Sequence, residues 1–372
     1  MSWILAIAVC PARTWAARAP LGPKTGAPEL IRLGPGDPKP PADADDRRAD
    51  APAEEAHPAA PPATEPAADG PVLAEAAAPD PQVIRTEGMP SAVWSDGSVT
   101  LVGVEALDRA GIAPAGLVLD PYALLAAPAD GGPDPIPLVS ALLAAAYERA
   151  VAETGTPPER TLVTHPDGWS AEQVLDLRRA ASLAGIGIIP VPEPIAVAAA
   201  YRGLGGEGGR LLMLDADRNT ASAIARMGNL FLVLATTSAP DDAAADDVLP
   251  GLVEEVLTQP GVNRELLDEV LLTGEALPEG LSERVSDLLR RTPAELPSWV
   301  LAPGALHYDH SLHAVPPQPA PAPPPPPPPP PVPRVNHAAP VKGSRRLPLV
   351  PLLVLILVVL VLAELLFVYW PF

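Results

Sequence analysis

Chemically capable side chains are sparse in this chain, and the most suggestive ones sit where apolar runs end. Glu193 stands between Pro192 and Pro194, where Ile-Gly-Ile-Ile-Pro-Val-Pro gives way to Ile-Ala-Val-Ala-Ala-Ala. Asp215 closes Leu-Leu-Met-Leu and is followed by Ala216, Asp217, Arg218, Asn219 and Thr220. Gly274 ends Val-Leu-Leu-Thr, with Glu275 next. A carboxylate at such a junction has an ordinary task, capping the first N–H groups of a helix or a hairpin turn, and that is one reading of Glu193 and Asp215. His307, His310 and His313 form a spaced triplet that invites a metal, but with no cysteine partner they are read as solvated linker. Cys10 is the single cysteine, which excludes an intramolecular disulfide framework and agrees with a reducing compartment. No zinc spacing, nucleophile elbow, dinucleotide fingerprint, Ser-His-Asp arrangement or internal repeat is legible.

The elements that must position these residues follow from pattern. Ser170 with Gln173 is a capping box, and Val174, Leu177, Ala181 and Ala184 share one helical face before Gly185 closes the helix. Pro194 sits where a helix start tolerates a missing N–H. Arg210 to Leu234 predicts three strands joined by two turns, and the Asp96-Gly97 pair predicts a hairpin turn before Val99 to Gly103. Helices are predicted over Leu138 to Thr154, around Val248 to Leu257 and over Leu281 to Arg291. Strands alternating with helices indicate an α/β domain and, taken alone, nothing more specific.

Residues 159 to 201 go further, because a strand ending in His165-Pro166, a helix, a second strand and the Glu193-Pro194 corner resemble the middle of the actin-like ATPase domain of the heat shock protein 70 (DnaK-like) family. In the same order, Trp3 to Val9 and Thr14 to Arg18 resemble the strands around that family's first phosphate loop, and Met89 to Trp94 and Val99 to Gly103 its early strands. Asp215 to Thr220 lies where the second phosphate hairpin falls. Val270 to Gly274 and Ala302 to Leu306 resemble the adenosine loop and the closing segment. The resemblance covers roughly residues 3 to 33 and 83 to 310. It implies an α/β, actin-like (ribonuclease H-like) fold of two lobes, here with reduced tip subdomains, and a nucleotide cleft that takes ATP and Mg2+. Glu193 matches the family's water-positioning glutamate, and Asp215, Thr220 and Gly274 match residues of its nucleotide cleft.

The same comparison shows what is lost. Ala8 stands at the first loop's aspartate and Cys10, Pro11 and Ala12 at its Gly-Thr-Thr, while Asp217, Arg218 and Asn219 replace the second loop's glycines and Glu275 replaces a glycine beside Gly274. Glycine there lets backbone N–H groups approach phosphate, and a Cβ blocks that approach. Each charge stabiliser lost from such a centre costs on the order of 10²- to 10³-fold in rate. The expectation is therefore a pseudo-ATPase in which these four residues are vestigial, acting as scaffold or regulator; the alternative is a divergent, chaperone-like ATP-binding ATPase. Arg218 could still contact a phosphate.

The rest of the chain supplies appendages. Residues 34 to 82 are Ala, Pro, Asp and Glu with few large apolar side chains, a composition that predicts disorder, and they carry much of the formal charge of −20. That acidity argues against nucleic acid as a partner. A linker spans 311 to 346 and includes an unbroken proline run from Pro323 to Pro331, able to reach on the order of 100 Å as polyproline II. It is read as a stiff spacer, or as a track over 316 to 333 for a proline-binding module. The apolar run 347 to 370 is long enough to span a bilayer, and Lys342, Arg345 and Arg346 before it predict a tail anchor with the N-terminal domain in the cytoplasm. Glu364 is read as reaching water near the far interface, or as a contact to a membrane partner. The expected partner is a membrane or secretion-machinery protein, since the His165-Pro166 to Trp169 variant is similar to bacterial family members associated with type VII secretion. A secretory signal over the first residues, with a wall-spanning role, is the competing reading, weakened by the missing basic n-region and the short apolar run.

Overall fold

In the computed structural model, which describes residues 2–21, 27–34, 88–128, 131–239 and 244–313, the chain opens with a strand that has no exposed side. This strand, β1 (Trp3–Val9), is buried throughout and pairs antiparallel with β2 (Arg13–Pro20), Trp3 facing Pro20 and Val9 facing Thr14. Its side chains alternate between two cores: Ile4, Ala6 and Ala8 enter one, and Trp3, Leu5, Ile7 and Val9 the other. Cover on both faces demands an apolar residue at every position, which Trp-Ile-Leu-Ala-Ile-Ala-Val supplies. The chain continues through β3 (Glu29–Ile31), β4 (Met89–Pro90), β5 (Val93–Ser95), β6 (Thr100–Val102), α1 (Val104–Ala110), β7 (Leu117–Val118), α2 (Pro121–Ala126) and α3 (Pro135–Thr154). Next come β8 (Arg160–His165), α4 (Ala171–Leu183), β9 (Ile188–Pro192) and α5 (Glu193–Gly203). The last third holds β10 (Arg210–Asp215), β11 (Thr220–Met227), β12 (Leu230–Ser238), α6 (Ala245–Leu257), β13 (Glu269–Gly274), α7 (Leu281–Leu289), β14 (Ala294–Pro297) and α8 (Leu301–His313).

The strands form two large sheets with one topology. The first has the order β3-β2-β1-β8-β9, with β4 beside β2, and the second the order β12-β11-β10-β13-β14. In each, a three-strand antiparallel meander is followed by two parallel strands, β1 to β8 to β9 and β10 to β13 to β14. The repeat is topological, since no residue pattern in the sequence announces it. A small antiparallel sheet, β6-β5-β7, is separate in its hydrogen bonding but sends Val93 into the second core, and its Asp96-Gly97 turn forms as expected, with Gly97 at φ 86°.

Alternation along the central strands dictates the layering. Leu211 and Met213 of β10 face the core that also takes Ile4 and Ala6, while Leu212 and Leu214 face a third core built with α6 and α7. The shared core between the sheets is filled by α5 and α8, and α3 and α4 cover the outer face of the first sheet. The protein is thus mixed α/β, stacked helix, sheet, helix pair, sheet, helix. The α5–α8 crossing is close because the contact residues are small: a Cβ at Gly304 would collide with the carbonyl oxygen of Ala196. The α4 capping box is present, and Gly185 ends the helix at φ 75°.

Some expectations are revised. Between Leu117 and Val163, where the sequence predicts a Pro/Gly-rich loop and the one helix over Leu138 to Thr154, two helices form, because Asp120 caps α2 through Tyr122 and Ala123 with Pro121 in its first turn. The histidine triplet is helical, not linker: His307, His310 and His313 all lie on α8, His307 against Gly203. Among the described residues, α3 is the helix long and apolar enough to cross a membrane; here Leu138, Val139, Leu142, Leu143 and Ala146 bury it in the second core. The insertion beyond Gly34, the linker beyond His313 with its proline track, and the apolar run 347 to 370 lie outside the described residues.

Candidate functional site

The parallel strands β1, β8, β10 and β13 all run toward the same region, and the carboxylates picked out from sequence gather there. Asp215 ends β10, and its Oδ1 accepts hydrogen bonds from the backbone N–H groups of Asp217 at 2.9 Å and Arg218 at 3.1 Å. It therefore does cap the turn to β11. Glu193 opens α5 but caps nothing, since the helix start has no side-chain acceptor. Its carboxylate turns instead to Arg218, whose Nε lies 3.1 Å from Oε2 and 3.3 Å from Oε1. Arg218 completes its fork with Nη2 donating to the Val9 carbonyl at 2.8 Å and Nη1 standing 3.8 Å from Asp120 Oδ2. The guanidinium thus belongs to the second sheet's turn and is held by groups of the first half.

The neighbouring turn residues are equally engaged. Asp217 accepts the Glu275 N–H at 2.9 and 3.0 Å and the Ser298 hydroxyl at 2.5 Å. Gly274 packs under this turn, where a Cβ would stand 3.2 Å from Ala216 Cβ and 3.4 Å from Asp217 Oδ1. Glu275 reaches back to Arg13, Oε1 to Nε at 2.6 Å. Asn219 takes φ 50°, a left-handed conformation that asparagine tolerates. Thr220 pairs with Asp215 across the hairpin and lines the small space beside Arg218. On the other side, Cys10 is buried in the β1–β2 turn, which closes through Cys10 N–H to Arg13 O at 2.9 Å and Ser91 Oγ to Cys10 O at 2.8 Å.

Burial governs the charges. It raises the pKa of Asp215 to about 8, helped by the charges of Glu193 and Asp217 and opposed by Arg218. Glu193 is also raised, by burial first, with Arg218 pulling it back. Burial disfavours the Arg218 charge, but Glu193, Asp120 and Asp215 outweigh it and push its pKa higher still, so the guanidinium stays charged. The Cys10 thiol is pushed well up by burial and the nearby carboxylates. One fixed cation surrounded by several carboxylates leaves the site over-supplied with negative charge, and a proton on Asp215 relieves it.

Among the described residues the space beside Arg218 is small. Pro166, Asp167, Glu193, Met213, Arg218 and Thr220 are among the walls of a cavity of about 10 Å³, at the lower limit for one water. Small-molecule sites need about 300 Å³ or more. Arg218 walls this space, and the backbone N–H groups of Asp217, Arg218 and Glu275 already have acceptors, so the arrangement does not fit a nucleoside triphosphate with its metal. Larger concavities, of about 400 Å³ beside Arg178 and Gly187 and about 370 Å³ beside Trp94 and Arg109, lie away from the carboxylates.

Of the residues singled out from sequence, Glu193, Asp215, Thr220 and Gly274 converge on this one region. The histidine triplet does not: His313 Nδ1 meets Asp309 O at 2.7 Å and its Nε2 lies 3.1 Å from Arg160 Nη1. Among the described residues no group of His, Cys, Asp or Glu side chains is placed to hold a metal. Sequence reasoning missed Asp120, Ser298 and the Val9 carbonyl. The Asp120-Pro121 pair is a legible helix start, but nothing in it announces an ion pair. No protein-family model and no curated protein matches this chain.

Proposed function

We propose that this chain is a degenerate, membrane-anchored relative of the heat shock protein 70 (DnaK-like) family, with an actin-like (ribonuclease H-like) domain that acts as a scaffold or regulator rather than as an ATPase. The observation that carries this reading is Arg218. Its guanidinium, bonded to Glu193 and the Val9 carbonyl, walls the small space beside them, where on this reading the family's nucleotide cleft would lie. The two sheets of identical topology with α5 and α8 between them support an actin-like duplication. The single helix α6 and the small β6-β5-β7 sheet are consistent with reduced tip subdomains.

In chemical terms the cleft has exchanged an external cation for an internal one. Arg218 neutralises the carboxylates that the family uses around magnesium, and Asp217 supplies the backbone N–H of Glu275 with an acceptor where a phosphate oxygen would be needed. The turn N–H groups of Asp217, Arg218 and Glu275, already bonded to carboxylates, are not available to stabilise a transferring phosphoryl group. What remains useful is the surface, which we place in the cytoplasm, held by the apolar run 347 to 370 in the cell membrane and displayed on the Pro-rich linker to a membrane or secretion-machinery protein.

Calorimetric titration of ATP and ADP with Mg2+ into the detergent-solubilised full chain tests this. The expected result is no saturable heat up to millimolar nucleotide. Magnesium-dependent binding that Glu193→Ala with Asp215→Ala abolishes would instead establish the chaperone-like ATPase reading.

A further inference from the structure

The outer edges of the two large sheets are not treated alike. The first sheet ends in β3, three residues long with an exposed Glu29, and in β9, which carries Pro190 and Pro192. The second ends in β14, four residues with Glu295 and Pro297, and in β12. Short length, charge and proline are among the devices by which a sheet edge avoids pairing with another chain, β-bulges being another. Strand β12 lacks the first three: Leu230–Ser238 is nine residues of Leu, Phe, Val, Ala, Thr and Ser, without charge, proline or glycine. Among the described residues no strand pairs with its outer side. A bulge at Leu234 breaks the ladder to β11, leaving Leu230–Val233 as a regular edge segment. In that segment Phe231 is buried, whereas Leu230 and Leu232 share the other face and are 50% and 51% exposed.

We infer that β12 is a self-association edge, which pairs antiparallel with β12 of a second copy of this chain across a twofold axis. The strand's chemistry selects the occupant. Twofold antiparallel pairing sets each residue against one from the same strand, and at the axis against its own copy, so an edge that meets itself does best without charge, and β12 carries none. The same operation brings Leu230 and Leu232 of both copies to one side of the joined sheet and closes their exposed faces on each other. Backbone N–H and C=O groups of the two edges satisfy one another, as in strand addition generally. The formal charge of −20 per chain opposes the approach, so the contact tightens as salt screens it. This inference does not depend on the state of the cleft.

The test is sedimentation velocity of the detergent-solubilised full chain over a range of protein and salt concentrations. The wild type is expected to form a dimer that strengthens with salt. Leu230→Lys with Leu232→Lys, both at half-exposed positions, is expected to be monomeric with an unchanged circular dichroism spectrum and melting curve, while Leu183→Lys on α4 leaves the dimer intact. Should the lysine variant lose its fold, Leu230→Thr with Leu232→Thr keeps strand propensity and must still weaken the dimer about tenfold. A wild type that is monomeric throughout overturns the inference. So does a dimer that survives these substitutions, which would place the contact elsewhere, the apolar run 347 to 370 included.

Discussion

Arg13 Nε stands 2.6 Å from Glu275 Oε1, linking the first turn of the first sheet to the loop that follows β13 in the second. Both side chains are about 30% exposed (29% and 30%), whereas the Arg218 and Glu193 side chains a short way inside are 8% and 3% exposed. The two pairs span the same gap and differ in what water can do for them. A partly exposed pair contributes about 0–1 kcal/mol, because each partner keeps solvent when the other is removed. Glu275→Gln is therefore expected to lower stability by no more than about 1 kcal/mol in urea unfolding.

Removing Arg218 has a different consequence. Arg218→Met leaves Glu193 buried and uncompensated, which costs about 3–5 kcal/mol. Replacing both partners, Arg218→Met with Glu193→Leu, is expected to recover most of that loss, since an apolar pair needs no solvation. A double-mutant cycle by chemical denaturation checks this, and a double variant no more stable than Arg218→Met alone would show that the two groups do not depend on each other.

Asp215 makes stability fall with pH. Its folded-state pKa of about 8 lies above the ordinary 3.8, so between these values the native state holds a proton that the unfolded chain has released. The stability that Asp215 contributes is therefore full below about pH 4, is lost as pH rises through about 8, and changes no further above it. Asp215→Asn keeps an oxygen for the two turn N–H groups and needs no proton. It is expected to flatten the decline and to be more stable than wild type at pH 9, as read from melting temperatures across the pH range. Glu193, raised in the same direction, leaves a residual slope.

Cys10 reports on the same region without altering it. Its thiol is buried, 2% exposed, with a pKa well above normal, so it is expected to be inert to a thiol reagent in the native wild type. Arg218→Met loosens the contact at the Val9 carbonyl beside it. Labelling of that variant under native conditions should be at least about tenfold faster, in keeping with a stability loss above 1.4 kcal/mol. Equal rates would show that Cys10 is shielded by the Ser91 contact alone.

Gly304 fixes how near the middle helices lie. The Ala196 carbonyl occupies the place of a Cβ, so Gly304→Ala forces α5 and α8 apart and is expected to cost about 1–3 kcal/mol despite its better helix propensity. Differential scanning calorimetry of that single variant decides between propensity and packing.

What could be foreseen from sequence follows physical range. The α4 capping box and the strands within Arg210 to Leu234 were legible because caps and apolar runs bounded by turns are local, whereas β1 and β13 were expected only from the family resemblance. Asp215 was correctly read as a cap, since the N–H groups that donate to it lie two and three residues on. Glu193 was not, because its partner Arg218 is 25 positions away, and Asp120 joins from nearly 100 residues upstream. The α8 histidines were misplaced because their helix is held by tertiary contacts: Gly304 and Ala305 earn burial against α5, which outweighs the breakers Pro303 and Gly304. The topological repeat was invisible, as strand order leaves no mark in residue identity.

The position of α8 also decides how the protein meets a mechanical pull. The chain leaves the described fold from this helix, whose last turn is gripped by Arg160 through Asp309 and His313, each at 3.1 Å. Because α8 packs against α5 and against strands of both sheets, a disturbance that enters the fold at its last turn reaches the common core of the two sheets first and the outer helices only afterwards.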